Sequence, residues 1–163
     1  MTTMVPTARP TAPLPDRIVA TVALAAALAL SRLPLRRQMA VVRLVRFLPA
    51  AHLGRLEAMY TAVRAVIPSW WPGRIACMET SLATVIATAF TGRRASWVLG
   101  ARFLPHAAHA WAEVPAGAVG RDIDDASDRP WMPVLFLPSL RSGHGPGPGR
   151  SLLDSRTTSN SNE

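Results

Sequence analysis

Apolar residues change their period along this chain, and the changes divide it into segments. Residues 1–15, MTTMVPTARPTAPLP, are rich in proline and threonine without an apolar rhythm and read as a disordered leader. From Ile18 to Leu30 the run IVATVALAAALAL is apolar on every side. Its 13 residues fall short of the roughly 20 that span a bilayer. A signal peptide would fit the length, but the proline-rich lead-in and the acid beside the core fit poorly. The run therefore reads as a buried helix with Asp16 as its N-cap. Pro34 opens a second helix, about 34–48, in which Met39, Val42, Leu44, Val45 and Leu48 form a stripe opposed by Arg36, Arg37, Arg43 and Arg46. A third, about 51–67, repeats Leu53, Leu56, Met59, Tyr60, Val63, Val66 and Ile67 near the 3.6-residue period and stops at Pro68.

Ser69-Trp70-Trp71-Pro72-Gly73 is a rigid turn, and the stretch from Arg74 to Phe90 is a fourth helix that Gly92 ends. There the period shortens to two. Ala95–Phe103 and His109–Val114 alternate and carry aromatics, as antiparallel strands joined through Leu104-Pro105-His106 do. Further strands are expected near Val119–Ile123 and over Met132–Leu137. Beyond Pro138 the chain turns to Ser, Gly, Pro and Asn, a disordered tail over 139–163. The expectation is one domain over 16–138, helical over 16–91 and strand-rich over 95–137: an α+β order.

Composition adds one anomaly. All 18 basic residues are arginine, against 10 acids, for a net charge of +8. Residues 1–102 hold 13 arginines and only Asp16, Glu57 and Glu79 as acids, whereas residues 103–163 are slightly acidic. A nucleic-acid binder would interleave aromatics with its bases or carry a reading module. These arginines instead fall in pairs at spacings suited to the outer faces of helices, so they read as a solvated or protein-docking face, and no nucleic-acid partner is expected. A membrane contact through 18–30 would be weak. The single cysteine excludes an intramolecular disulfide framework.

That cysteine, Cys77, stands where a helix begins after a Pro/Gly turn. Free amides and the helix dipole there favour a thiolate and can bind an oxyanion. His109 follows on a strand as a candidate general base, and the run Asp122, Asp124, Asp125, Asp128 offers a carboxylate to orient its ring. Cys, His and Asp on helix, strand and next strand is the layout of papain-like and transglutaminase-like enzymes. Glu79 and Thr80 read as first-turn and capping residues. His106 and His109 make a poor zinc pair with one thiol, so no metal and no cofactor is expected. His52 and His144 receive no role.

Three segments, Cys77-Met78-Glu79-Thr80-Ser81-Leu82-Ala83, Gly100-Ala101-Arg102-Phe103 and His109-Ala110-Trp111-Ala112-Glu113-Val114, resemble the lasso peptide biosynthesis B2 protein family of transglutaminase-like cysteine peptidases. The resemblance covers about 30–137. It implies a transglutaminase/papain-like core, N-terminal helices followed by a small antiparallel sheet, with the nucleophile at a helix N-terminus. It implies removal of a leader from a ribosomally made precursor peptide in the cytoplasm, with Cys77 as nucleophile and His109 as base. Asp122 fits best as the third member, with Asp124 or Asp125 as alternatives. The family's split form works with a separate leader-recognition protein and hands its product to an asparagine-synthetase-like cyclase. Arg36, Arg37, Arg43 and Arg46 would then be a docking face for that protein or for an acidic leader. Two other readings are acyl transfer to an amine and a non-catalytic, Arg-rich adaptor.

Overall fold

Four helices precede the sheet in this computed structural model, which describes residues 11–68, 76–102, 107–121 and 131–137. The leader through residue 10, the Trp70–Trp71 turn, His106, the acids Asp122, Asp124 and Asp125, and the tail with His144 lie outside the described residues.

Helix α1 runs Leu14–Ser31 and starts ahead of the expected N-cap. Pro13 and Pro15 flank its first residue, and prolines suit a helix start because they lack the amide that would go unbonded there. Asp16 therefore lies in the first turn rather than at the cap, where its carboxylate pairs with Arg55 at 3.1 Å. The small stripe Ala20, Ala23, Ala27, with Leu24, is buried and lets α1 lie close against the later helices. Its other face leaves Leu14, Ile18 and Val22 in solvent. By length and composition α1 could cross a membrane, yet one side of it belongs to the core.

Helix α2, Leu35–Leu44, is shorter than its pattern suggests: the chain tightens into a 3-10 turn at Val45–Phe47 before Pro49. All four docking candidates, Arg36, Arg37, Arg43 and Arg46, are exposed. Exposed Leu44 and Phe47 share this stretch, and the Arg46 guanidinium lies 4.6 Å from the Phe47 ring. Helix α3 (Leu53–Val66) has His52 as its N-cap, the ring accepting from the Arg55 amide at 3.1 Å. Its stripe Leu56, Met59, Ala62, Val63 is fully buried.

Helix α4 (Cys77–Phe90) is the central rod, packed by α1, α3 and the sheet. Thr84 and Thr88 are buried at little cost, because their hydroxyls donate to the carbonyls of Thr80 and Thr84 at 2.8 Å. Gly92 ends it with φ 73°, as its sequence signal indicates.

Strands β1 (Ser96–Arg102), β2 (Ala107–Val114), β3 (Gly117–Val119) and β4 (Met132–Leu137) form one antiparallel sheet in the order β3-β2-β1-β4. The register sets Gly100 opposite His109 and Val98 opposite Trp111. Strand β3 comes earlier than expected, since Pro115 and Ala116 turn the chain straight back after β2 and Gly117 already pairs with Val114. Alternation sorts the sheet's two faces. Trp97, Ala112, Val114 and Leu137 join the helices in the main core, while Val98, Trp111 and Trp131 form a second cluster. Gly100 admits the Trp111 indole: a Cβ there would lie 2.6 Å from two of its ring carbons.

Candidate active site

The start of α4 is set by a single side chain. Ala76 cannot cap, so Glu79 reaches back and accepts from the Ala76 amide at 3.1 Å, closing half a capping box. This makes Cys77 the first helical residue, where backbone N–H groups have no acceptor within the helix. Cys77 is a half-buried free thiol. Ser81, one turn on, is buried; its hydroxyl donates to the Met78 carbonyl at 3.1 Å and accepts from the Trp97 indole at 2.9 Å. That bond ties the first turns of α4 to β1.

His109 is the third residue of β2 rather than its first, because Ala107 and Ala108 already pair with Arg102 and Ala101. Its Nε2 lies 2.6 Å from the carbonyl oxygen of Gly120. A carbonyl can only accept, so the proton is on Nε2 and Nδ1 keeps the lone pair that can take a thiol proton. The ring is flanked by Trp111 (centroids 6.2 Å apart) and Trp131 (5.2 Å). Trp111 is itself held by its indole N–H on Glu113 Oε2 at 3.0 Å. Arg102 stacks over Trp131 at 4.7 Å.

Three elements converge on one cavity of about 360 Å³. Helix α4 contributes Cys77, Thr80 and Ser81; α3 contributes Tyr60 and Arg64, with Ile67 just past its end; β2 contributes His109 and Ala110, and Gly120 follows β3. The structure thus brings the two strongest sequence candidates, Cys77 and His109, to the same space from different elements. Asp122, Asp124 and Asp125 fall outside the described residues, and within them the acceptor on His109 is the main chain of Gly120. Arg36, Arg37, Arg43 and Arg46 do not border the cavity. Among the described residues no three His, Cys, Asp or Glu gather as metal ligands.

Tyr60 enters the sequence reading only as part of the α3 stripe, and Arg64 and Gly120 carry no site signal there. The first two occupy the i, i+4 face that Ile67 continues, a spacing that also describes an ordinary core stripe. Gly120 is a glycine before Arg-Asp; here it holds φ 74°, which a side chain would strain.

A family model described as the transglutaminase-like superfamily matches residues 19–129. No curated protein and no solved structure matches the chain. The matched span exceeds half of the sequence and runs from within α1 past β3, with both Cys77 and His109 inside it. The chain belongs to the transglutaminase-like superfamily, whose members are typically cysteine peptidases or transferases.

Proposed function

We propose that this protein is a cysteine peptidase that removes the leader from a ribosomally made precursor peptide, in the manner of the lasso peptide B2 proteins it resembles. One observation carries the chemistry: a thiol at the first residue of α4 and an imidazole with a free Nδ1 border the same cavity. The Cys77 sulfur attacks the scissile carbonyl as its proton passes to His109 Nδ1. Charge on the carbonyl oxygen is met by the unbonded amides at the start of α4. Collapse of that intermediate breaks the C–N bond, and His109 returns the proton to the departing amine. A thioester remains; His109 takes a proton from water, which adds to the carbonyl and frees the leader as an acid and Cys77 as a thiol. Asp122, or Asp124 or Asp125, would share the Nε2–H with the Gly120 carbonyl and so orient the ring.

The partners follow from the same reading. A separate leader-recognition protein docks on the exposed face of Arg36, Arg37, Arg43 and Arg46, where Leu44 and Phe47 add apolar contact. The freed core amine is consumed in the cytoplasm by an asparagine-synthetase-like cyclase. Acyl transfer to an amine differs only in the second nucleophile, and superfamily membership leaves room for it.

The test is incubation with leader-bearing precursor peptides, with and without a recognition protein, read by mass spectrometry. Cleavage is expected to vanish in Cys77→Ala and His109→Gln while circular dichroism stays native. Cleavage retained in Cys77→Ala refutes the assignment. A product joined by a new amide bond, in place of hydrolysis, selects acyl transfer. Glutamate at the four docking arginines should slow only the reaction that needs the recognition protein.

A further inference from the structure

We propose that Arg64 selects the substrate of this cavity, which takes peptides carrying an Asp or Glu side chain beside the bond that Cys77 attacks. The inference deepens the peptidase reading and rests on it for the word peptide, but not for the anion.

Arg64 is a cavity-wall residue, exposed, and the one residue with a fixed charge among the described residues that line the space. Its guanidinium lies 5.8 Å from the centre of the Tyr60 ring, one turn back on α3, which limits where it can point. It has no carboxylate partner among the described residues, whereas Arg55 is paired with Asp16. The acids closest to the site on α4 and β2 are already engaged. Glu79 accepts from the Ala76 amide and Glu113 from the Trp111 indole. A carboxylate arriving with the substrate would meet a guanidinium fork, whose two-point geometry makes such pairs directional even where they are partly exposed.

The reagent pair iodoacetate and iodoacetamide tests this without knowing the precursor peptide. Both alkylate the same thiolate and differ by one negative charge, so the ratio of their rates reports local charge and cancels any change in thiolate population. Cys77 is the only cysteine, so intact mass follows one site. Arg64→Ala should lower the iodoacetate-to-iodoacetamide ratio about three- to fivefold, the span expected of one partly exposed charge pair. Arg64→Lys should keep most of it, and Arg64→Gln stands in for the alanine variant if that one misfolds. An unchanged ratio in a folded Arg64 variant overturns the proposal, as does a Cys77 that neither reagent reaches. In cleavage assays, replacing the acidic residue beside the scissile bond by its amide should raise KM in the native protein and not in Arg64→Gln. If the ratio shifts but no peptide is cut through Cys77, the peptidase reading fails and the anion site stands.

Discussion

Replacing Ser81 by alanine removes one oxygen and should nevertheless cost about 1–3 kcal/mol, because of what the oxygen does for its neighbour. Trp97 is fully buried, and its indole N–H has the Ser81 hydroxyl as acceptor at 2.9 Å. Without the hydroxyl that N–H stays buried and unbonded, and Ser81 is too well covered, at 4% exposure, for bulk water to take its place. The lost volume is small, so desolvation of the indole dominates. The effect should disappear where no N–H exists: in a Trp97→Phe background, Ser81→Ala should cost about 0.5 kcal/mol or less, leaving a coupling energy of about 1–2 kcal/mol. Urea unfolding of the four proteins measures this, with the single Ser81 variant shifting its midpoint by roughly 1 M for a slope near 2 kcal/mol/M. Additive costs, or a Ser81→Ala penalty below about 0.5 kcal/mol, would refute the reasoning. Since Ser81 also borders the cavity, the same variant tests whether the tie from α4 to β1 holds Cys77 in place: kcat should fall more than the folded fraction does.

Gly100→Ala should destabilise by about 1–3 kcal/mol, since its Cβ would meet the Trp111 ring at 2.6 Å and a backbone carbonyl at 3.2 Å; a stability as high as the native one in urea would show that the indole moves freely. Gly120→Ala forces a side chain to φ 74° and to 3.2 Å from Tyr60. It should cost roughly 1–2 kcal/mol and lower kcat by displacing the carbonyl that holds His109 Nε2, with unchanged kcat counting against that hold. Asp16→Asn should cost only about 0.5–1 kcal/mol, falling with added salt, because Arg55 and Asp16 are partly exposed, at 29% and 14%. A loss independent of salt would mean that Asp16 acts through something other than the pair.

Much of the helical half was readable because its signals are local. Prolines 34, 49 and 68 and Gly92 mark boundaries through backbone restrictions that hold in any context. Errors arose where two local signals competed. Asp16 is a good capping residue, but the prolines on either side of Leu14 start the helix first. His52, given no role, became the N-cap of α3 through a ring nitrogen. Strand β3 starts before the expected Val119 because Pro115 and Ala116 make an immediate reversal that alternation alone does not announce. The candidate site divided in the same way. Cys77 was legible from its position after a turn, and His109 from the alternating strand and the resemblance it carries. Arg64 and Tyr60 were not, since a stripe on α3 looks the same whether it faces a core or a cleft.

By itself the sequence determined the order of elements, helices before strands, and the chemistry available: one thiol, a histidine with tryptophan two residues on, and arginine as the only fixed cation. It also determined that Cys77 begins a helix, because capping and turn preferences act within a few residues. The tertiary structure alone decided that α3 and α4 meet the same strand, that the Gly120 carbonyl sets the proton on His109, and that Arg64 and Cys77 line one cavity. Those facts depend on contacts between residues tens of positions apart, where packing of the buried faces, rather than any local preference, chooses the neighbours.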